Sequence, residues 1–314
     1  MSTRVENVIA RQKVPARWQA DSVLALVAFV WGSTFVVVKH ALADITTMYF
    51  LALRFTFASG CMLVAFGPRF RSVSGRALWR GLRGGVAAGV FLWLGFALQT
   101  VGLRYTTAGK SGFITGLYIV LVPLISAAVY GRWPRPAELA GVAIAGTGTM
   151  VLVAPALYAS MSVNRGDLLT MACAVAFAFH LLVLGYFSQR ERFEAVALGQ
   201  ILCCAALSAG AVGFEGARAV WSAGVVFAII LTALLATALA FALQTWAQQY
   251  TTATRTAVIF ALEPVFALAT AVIAGGERLT LYAAVGGAMI LAGILVVEMR
   301  PEGALNGASE SARR

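Results

Sequence analysis

GFALQTVGLRYTTA at residues 95–108 returns as AFALQTWAQQYTTA at residues 240–253. Nine of the fourteen positions are identical: Phe96/Phe241, Ala97/Ala242, Leu98/Leu243, Gln99/Gln244, Thr100/Thr245, Tyr105/Tyr250, Thr106/Thr251, Thr107/Thr252 and Ala108/Ala253. The register continues outward, pairing Lys110 with Arg255 and Gly131 with Gly276. Both copies lie in strongly apolar surroundings, so the unit that was duplicated is a set of membrane segments.

Composition agrees. With 60% hydrophobic and 12% charged residues and a mean hydropathy of +0.84, the chain is excluded from the ordinary soluble class. A spanning helix needs about 20 mostly apolar residues. Such stretches occur at 20–42, 47–66, 84–103, 107–130, 137–154, 167–188, 195–214, 224–244, 253–274 and 280–299. The fold class is therefore all-α and integral to the membrane, with ten spans. The fifth is the shortest. The first is not a signal peptide: its apolar run from Val23 to Val38 exceeds the usual h-region of roughly 7–15 residues. It also ends on Lys39 and His40, and its Asp21–Trp31 spacing matches that of Asp167–Phe177.

Lys/Arg placement sets the orientation. With a cytoplasmic N-terminus, segments 1–19, 67–83, 131–136, 189–194 and 300–314 lie inside and carry 16 Lys/Arg, against 4 in the opposite loops. This is the positive-inside bias, and it places a multi-pass protein in a cytoplasmic (inner) membrane with both termini inside. The net charge of +11 then reads as topology with some affinity for anionic lipid. The basic residues are scattered over many loops, so a nucleic-acid partner is not expected.

Each copy holds five helices, an odd number, so the second copy enters the bilayer upside down. The units are a cytoplasmic segment 1–19, a first repeat 20–154, a second, inverted repeat 167–299 and a polar, disordered tail 300–314. Inverted repeats give two near-equivalent ends that can open in turn around a midplane site, the basis of alternating access. Duplication that merely built a stable bundle is the competing explanation.

Several stretches carry a family resemblance. They are WGSTFVVVK at 31–39, LRF at 53–55, LRYTTAGKSGFITGLYIVLVP at 103–123, QYTTATRTAVIFALEPVFA at 249–267 and GERLT at 276–280. In order and spacing these resemble the drug/metabolite transporter superfamily, in its ten-helix EamA-like branch. The resemblance implies export or import of small metabolites. The chain departs from the pattern at Ala176–Phe177, where the family often has Trp, and at Tyr118–Ile119, opposite Glu263–Pro264 in the other repeat.

Intramembrane polar residues are few. Glu263 is the one carboxylate near the middle of a span, and at that depth it must face the bundle interior, paired or protonated. It reads either as a proton-coupling or substrate-cation site, or as a structural partner of a helix broken by Pro264. His180 is the second candidate for proton coupling, its alternative being a neutral hydrogen-bonding role. Lys110 and Arg255, equivalent and on opposite faces, are candidate gates or snorkelling side chains. Arg54 and Lys39 read as snorkellers near the outer face. Gln99 and Gln244 line a path or bond across helices. Thr34 is the counterpart of His180 and joins the substrate-binding set. Trp31, Trp93, Tyr118 and Trp246 offer an aromatic lining for amino-acid-like, base-like or drug-like solutes, or simple packing. Trp133 and Trp221 read as interface anchors. Gly81–Gly85–Gly89 and Gly112–Gly116 form small-residue ridges.

Cys61, Cys173, Cys203 and Cys204 fall in spans with neither a CxxC nor a nearby His, so no metal is expected. There is no phosphate loop, so no nucleotide cofactor is expected and a gradient or passive flow must drive the process. With two His in the chain and one mid-span carboxylate, no nucleophile–base–stabiliser set assembles, and the chain is not expected to be an enzyme. The sequence thus points to a secondary transporter of small organic solutes in the lipid bilayer, proton-coupled or else an uncoupled facilitative permease. An intramembrane enzyme or assembly protein is the alternative class. A homodimer is allowed, though nothing in the chain selects it.

Overall fold

Capping residues and apolar runs set the helix boundaries. The computed structural model describes residues 17–131, 133–158, 164–275 and 280–298. The helices are α1 (Arg17–Ala41), α2 (Thr47–Phe70), α3 (Gly75–Gly102), α4 (Ala108–Gly116), α5 (Tyr118–Tyr130) and α6 (Pro136–Tyr158). The second half supplies α7 (Arg165–Ser188), α8 (Phe193–Glu215), α9 (Ala223–Ala233), a π-helical turn Leu234–Leu239, α10 (Ala240–Ala247), α11 (Ala253–Phe260), α12 (Leu262–Gly275) and α13 (Leu281–Glu298). Eight described helical runs are long and apolar enough to span a membrane, and Pro136–Leu152 and Leu281–Val297 are shorter apolar helices. Together they make the ten expected segments of an all-α membrane protein. The fifth segment runs four residues past its expected end, to Tyr158. Residues 1–16, the tail 300–314, Arg132, Gly276 and most of the GERLT motif lie outside the described residues.

The duplicated YTTA motif has a local purpose. Thr107 caps α4, its side chain accepting from the Lys110 N–H, and Thr252 caps α11 by accepting from the Arg255 N–H, each at 3.2 Å. A Thr at the N-cap satisfies one of the four N–H groups left open at a helix start. Ser74 caps α3 and Ser222 caps α9 likewise. At α7, Asn164 and Asp167 form a reciprocal capping box.

Two spans are broken at equivalent places. Between α4 and α5, Leu117 N–H bonds Ile114 O, three residues back. Between α11 and α12, Ala261 N–H bonds Val258 O in the same tight pattern. Pro264 explains the second break by removing the donor that would have bonded Phe260 O. The first break has Ile119 at that position and Pro123 four residues on. Discontinuous helices near the midplane are the usual place for transporter sites.

Small residues let the helices approach closely. Gly81, Gly85 and Gly89 on α3 lie against Ala195, Gly199 and Cys203 on α8, a constant offset that makes these helices parallel. Gly84 and Gly95 instead receive the Phe187 and Phe177 rings of α7. A second ridge, unread in the sequence, joins α6 to α13. Gly141 faces Gly293 and Gly148 faces Gly286, and a methyl group at Gly148 would come within 2.8 Å of Gly286 O. The contacts run in opposite senses along the two helices, and Gly141/Gly286 and Gly148/Gly293 are each 145 residues apart. Equivalent helices therefore pack antiparallel, the geometry of an inverted repeat. Gly112 and Gly116 form no such ridge: nothing lies within 4 Å of a Cβ at Gly112, and Gly116 meets only Thr149 at 3.8 Å.

Candidate functional site

A cavity within the bundle takes its floor and walls from both repeats. About 750 Å³ of space, part of it open to solvent, lies between the lining side chains. Trp31, Thr34 and Val38 place it along the second half of α1, and Leu92, Phe96 and Thr100 along the second half of α3, with Leu103 just past its end. No lining residue comes from the first half of α1. There Ala20, Leu24, Val27 and Ala28 pack with Leu181, Leu182, Val258 and Ile259 into a buried apolar floor.

The wall is mainly aromatic. Trp31 contacts Phe241 and Phe260 with ring centroids 5.2 and 5.0 Å apart, and Phe96 lies 6.0 Å from Phe241 and 5.5 Å from Phe177. Trp31 is fixed by its indole N–H, which donates to Ala236 O at 2.9 Å.

Of the residues singled out in the sequence, Trp31, Thr34, Gln99, Tyr118, His180, Gln244 and Glu263 line this cavity together. Gln99 and Gln244, identical in the repeat, have diverged in use. The Gln99 amide donates to Thr115 Oγ1 at 3.0 Å, while Gln244 reaches Gln248 at 3.5 Å and its own Oε1 is buried without a partner. None of the described residues forms a hydrogen bond or an ion pair with the Glu263 carboxylate, which lines the cavity. His180 is buried against Phe241. Its Nδ1 lies 3.2 Å from Ala88 O, which can only accept, so Nδ1 carries the proton. Nε2 is then an acceptor, and it is buried without a partner.

Trp93 and Trp246 do not line the cavity. Trp93 donates to Ser208 on α8 at 3.1 Å, and Trp246 packs edge-on against Tyr250. The aromatic content of the spans was readable in the sequence, but the face each ring takes depends on tertiary packing. Arg54 corrects the expectation more sharply. It is not a snorkeller: it is 4% exposed and lines the cavity. Lys39 is exposed, and its Nζ donates to Thr106 O at 3.1 Å.

Lys110 and Arg255 lie at opposite ends of the bundle, away from the cavity. Lys110 Nζ is 2.6 Å from Asp167 Oδ2, and both side chains are nearly buried. Asp167 also accepts from Thr106 Oγ1 at 2.8 Å and from the Asn164 N–H at 2.9 Å. At the other end Arg255 takes Asp21 in a two-point fork, Nε–Oδ1 at 3.2 Å and Nη2–Oδ2 at 2.9 Å. Asp21 and Asp167 occupy matching positions in the two repeats, as Lys110 and Arg255 do. Each pair joins one repeat to the other. Lys39 marks the Asp167 end of α1 and stands 18 positions from Asp21, about 27 Å at the helical rise. The sequence signal for the carboxylate partners was their shared spacing to Trp31 and Phe177, but spacing alone names no contact across repeats.

Comparison with known proteins accords with this duplicated architecture. The model of the EamA-like transporter family matches twice, at residues 18–154 and 164–299. A protein of Archaeoglobus fulgidus described as an uncharacterized transporter is 35% identical, the alignment covering 90% of this chain and 87% of the relative. A probable amino-acid metabolite efflux pump of Salmonella typhimurium is 26% identical over 88% of this chain and 94% of its own length. A solved crystal structure superposes with a TM-score of 0.72 at 23% identity, covering 90% of this chain and 97% of the other, a likeness of fold.

Proposed function

Because the chain belongs to the EamA-like transporter family, we propose that it is a secondary transporter that works by alternating access and exports small organic metabolites of the amino-acid type. The observation that carries the mechanism is the matched set of ion pairs. Lys110–Asp167 and Asp21–Arg255 are equivalent by repeat, cross between repeats and lie at opposite ends of the bundle. Opening one end separates one pair while the other stays formed. The cavity already lies in the Asp167 half of the bundle, so this conformation is one step from opening there.

The solute class rests on the lining and on the kinship with a probable amino-acid metabolite efflux pump. Aromatic walls accept an apolar side chain, and Gln244, His180 and Glu263 offer acceptors to an amino group. Glu263 is the residue we assign to proton coupling, because it lines the cavity without an ion-pair partner among the described residues. A carboxylate that binds a proton on one side of the membrane and a solute on the other couples the two flows. His180, already committed to Ala88 O, orients α7 against α3 and presents Nε2 as an acceptor.

The test is flux. The purified protein, reconstituted in proteoliposomes, is offered a panel of radiolabelled amino acids and related aromatic metabolites with and without a pH gradient. At least one solute should move, and faster with the gradient. Absence of movement across the panel would overturn the transport reading; movement indifferent to the gradient would leave a facilitative permease instead.

A further inference from the structure

Arg54 is a buried cation with no carboxylate against it among the described residues. Its Nε donates to Thr237 Oγ1 at 2.6 Å and its Nη2 to Ala236 O at 3.2 Å. The guanidinium carbon lies 4.7 Å from the centre of the Phe96 ring and 5.7 Å from that of Phe55. Every one of these partners is neutral. Among the described residues no Asp or Glu lies in ion-pair range of Arg54, although Glu263 lines the same cavity. Neutral acceptors compensate a buried charge only in part, and one that lacks a counter-ion is expensive. Nη1 and the second hydrogen of Nη2 remain for an oxygen ligand.

The surroundings hold this group in place. The π-helical turn Leu234–Leu239 interrupts the eighth span, with Ala240 N–H bonding Leu235 O, five residues back. Within it Thr237 Oγ1 donates to Thr232 O at 2.8 Å, which aims the oxygen's acceptor side at Arg54. Ala236 O accepts from both Arg54 and Trp31. One carbonyl thus fixes the cation and the main aromatic wall relative to each other. Inserted π turns of this kind recur at functional sites.

We propose that Arg54 is the carboxylate-receiving subsite of the cavity, taking an organic carboxylate whose apolar body lies along Trp31, Phe96 and Phe241. The planar fork of Arg matches the two oxygens of a carboxylate, and the flanking rings exclude water from the contact. The assignment rests on the transport reading for its purpose, but binding alone tests it.

Purified full-length protein in detergent is titrated with phenylalanine, 3-phenylpropionate and phenethylamine, and affinity is read by calorimetry. The native protein should bind the two carboxylates about tenfold or more tighter than the amine. Arg54→Gln should bring that ratio to within about twofold of unity, by weakening the carboxylates and sparing the amine. Arg54→Lys, which keeps the charge and is the milder change to the fold, should weaken the carboxylates while leaving amine affinity unchanged. A native protein without carboxylate preference, or variants that lower all three ligands alike, would overturn the subsite. Failure of transport itself would appear in proteoliposome flux and not in this ratio, so the two ideas fail separately.

Discussion

Glu263 stands in the first turn of α12, just past the break at Ala261 and just before Pro264. A helix start favours negative charge, whereas a largely apolar cavity disfavours it. A carboxylate between these two influences can change state when solute or proton arrives. Glu263→Gln keeps the shape and removes the titration, so pH-gradient stimulation of flux should vanish while solute–solute exchange continues. Retained stimulation would remove Glu263 from the coupling step. His180 should behave differently, because its proton is already given to Ala88 O. His180→Phe removes this hydrogen bond, while Ala88 O keeps its place in the helical ladder of α3, and should lower unfolding stability by about 0.5–1.5 kcal/mol, with the response to a pH gradient preserved. Loss of the response at unchanged stability would make His180 the coupling group instead.

Among the elements, α6 and α13 make a close crossing in which a glycine ridge meets its own counterpart. Substituting Gly148 by Leu forces side-chain atoms into Gly286 O and Ile290 N, both 2.8 Å from a Cβ there, and overpacking of this kind costs about 1–3 kcal/mol. Gly112→Ala, in open space within α4, should be neutral or stabilising by up to about 1 kcal/mol. Thermal unfolding in detergent measures both, and equal losses would show that the ridge is not what holds these helices. This contrast also marks what the chain reveals unaided. The ten spans, the repeat and its inversion follow from hydropathy and parity, and the repeated Thr107 and Thr252 announce two helix starts. Gly112 and Gly148 look alike as letters, because closeness depends on the neighbour's face. Arg54 was misread for the same reason. Its place early in the second span suggested an exit to water, but the π-helical turn of a distant segment wraps it. Seven polar or aromatic candidates share the cavity because membrane burial leaves inward-facing polar groups few places to go, whereas Trp93 and Trp246 can pack anywhere apolar.

For the molecule as a whole, two equivalent ion pairs closed at once make a balance that a single substitution should tip. Lys110 and Asp167 are 8% and 6% exposed, against 18% and 13% for Arg255 and Asp21. Removing one member of a buried pair leaves an uncompensated charge, at a cost of about 3–5 kcal/mol in well-buried cases. The closed arrangement at that end loses this stabilisation, while the open one, where water solvates the remaining charge, does not. Lys110→Ala should therefore populate the form open at the Asp167 end, and Arg255→Ala the form open at the Asp21 end, with the smaller effect because water already screens that pair. The readout is a reporter cysteine at Thr34 in the cavity, in a background where Cys61, Cys173, Cys203 and Cys204 are replaced. A membrane-impermeant maleimide applied from the Asp167 side should label it faster with Lys110→Ala and slower with Arg255→Ala, and the order should reverse from the other side. If both variants change labelling in the same sense from one side, the pairs are staples of the fold and the alternating-access role assigned to them fails.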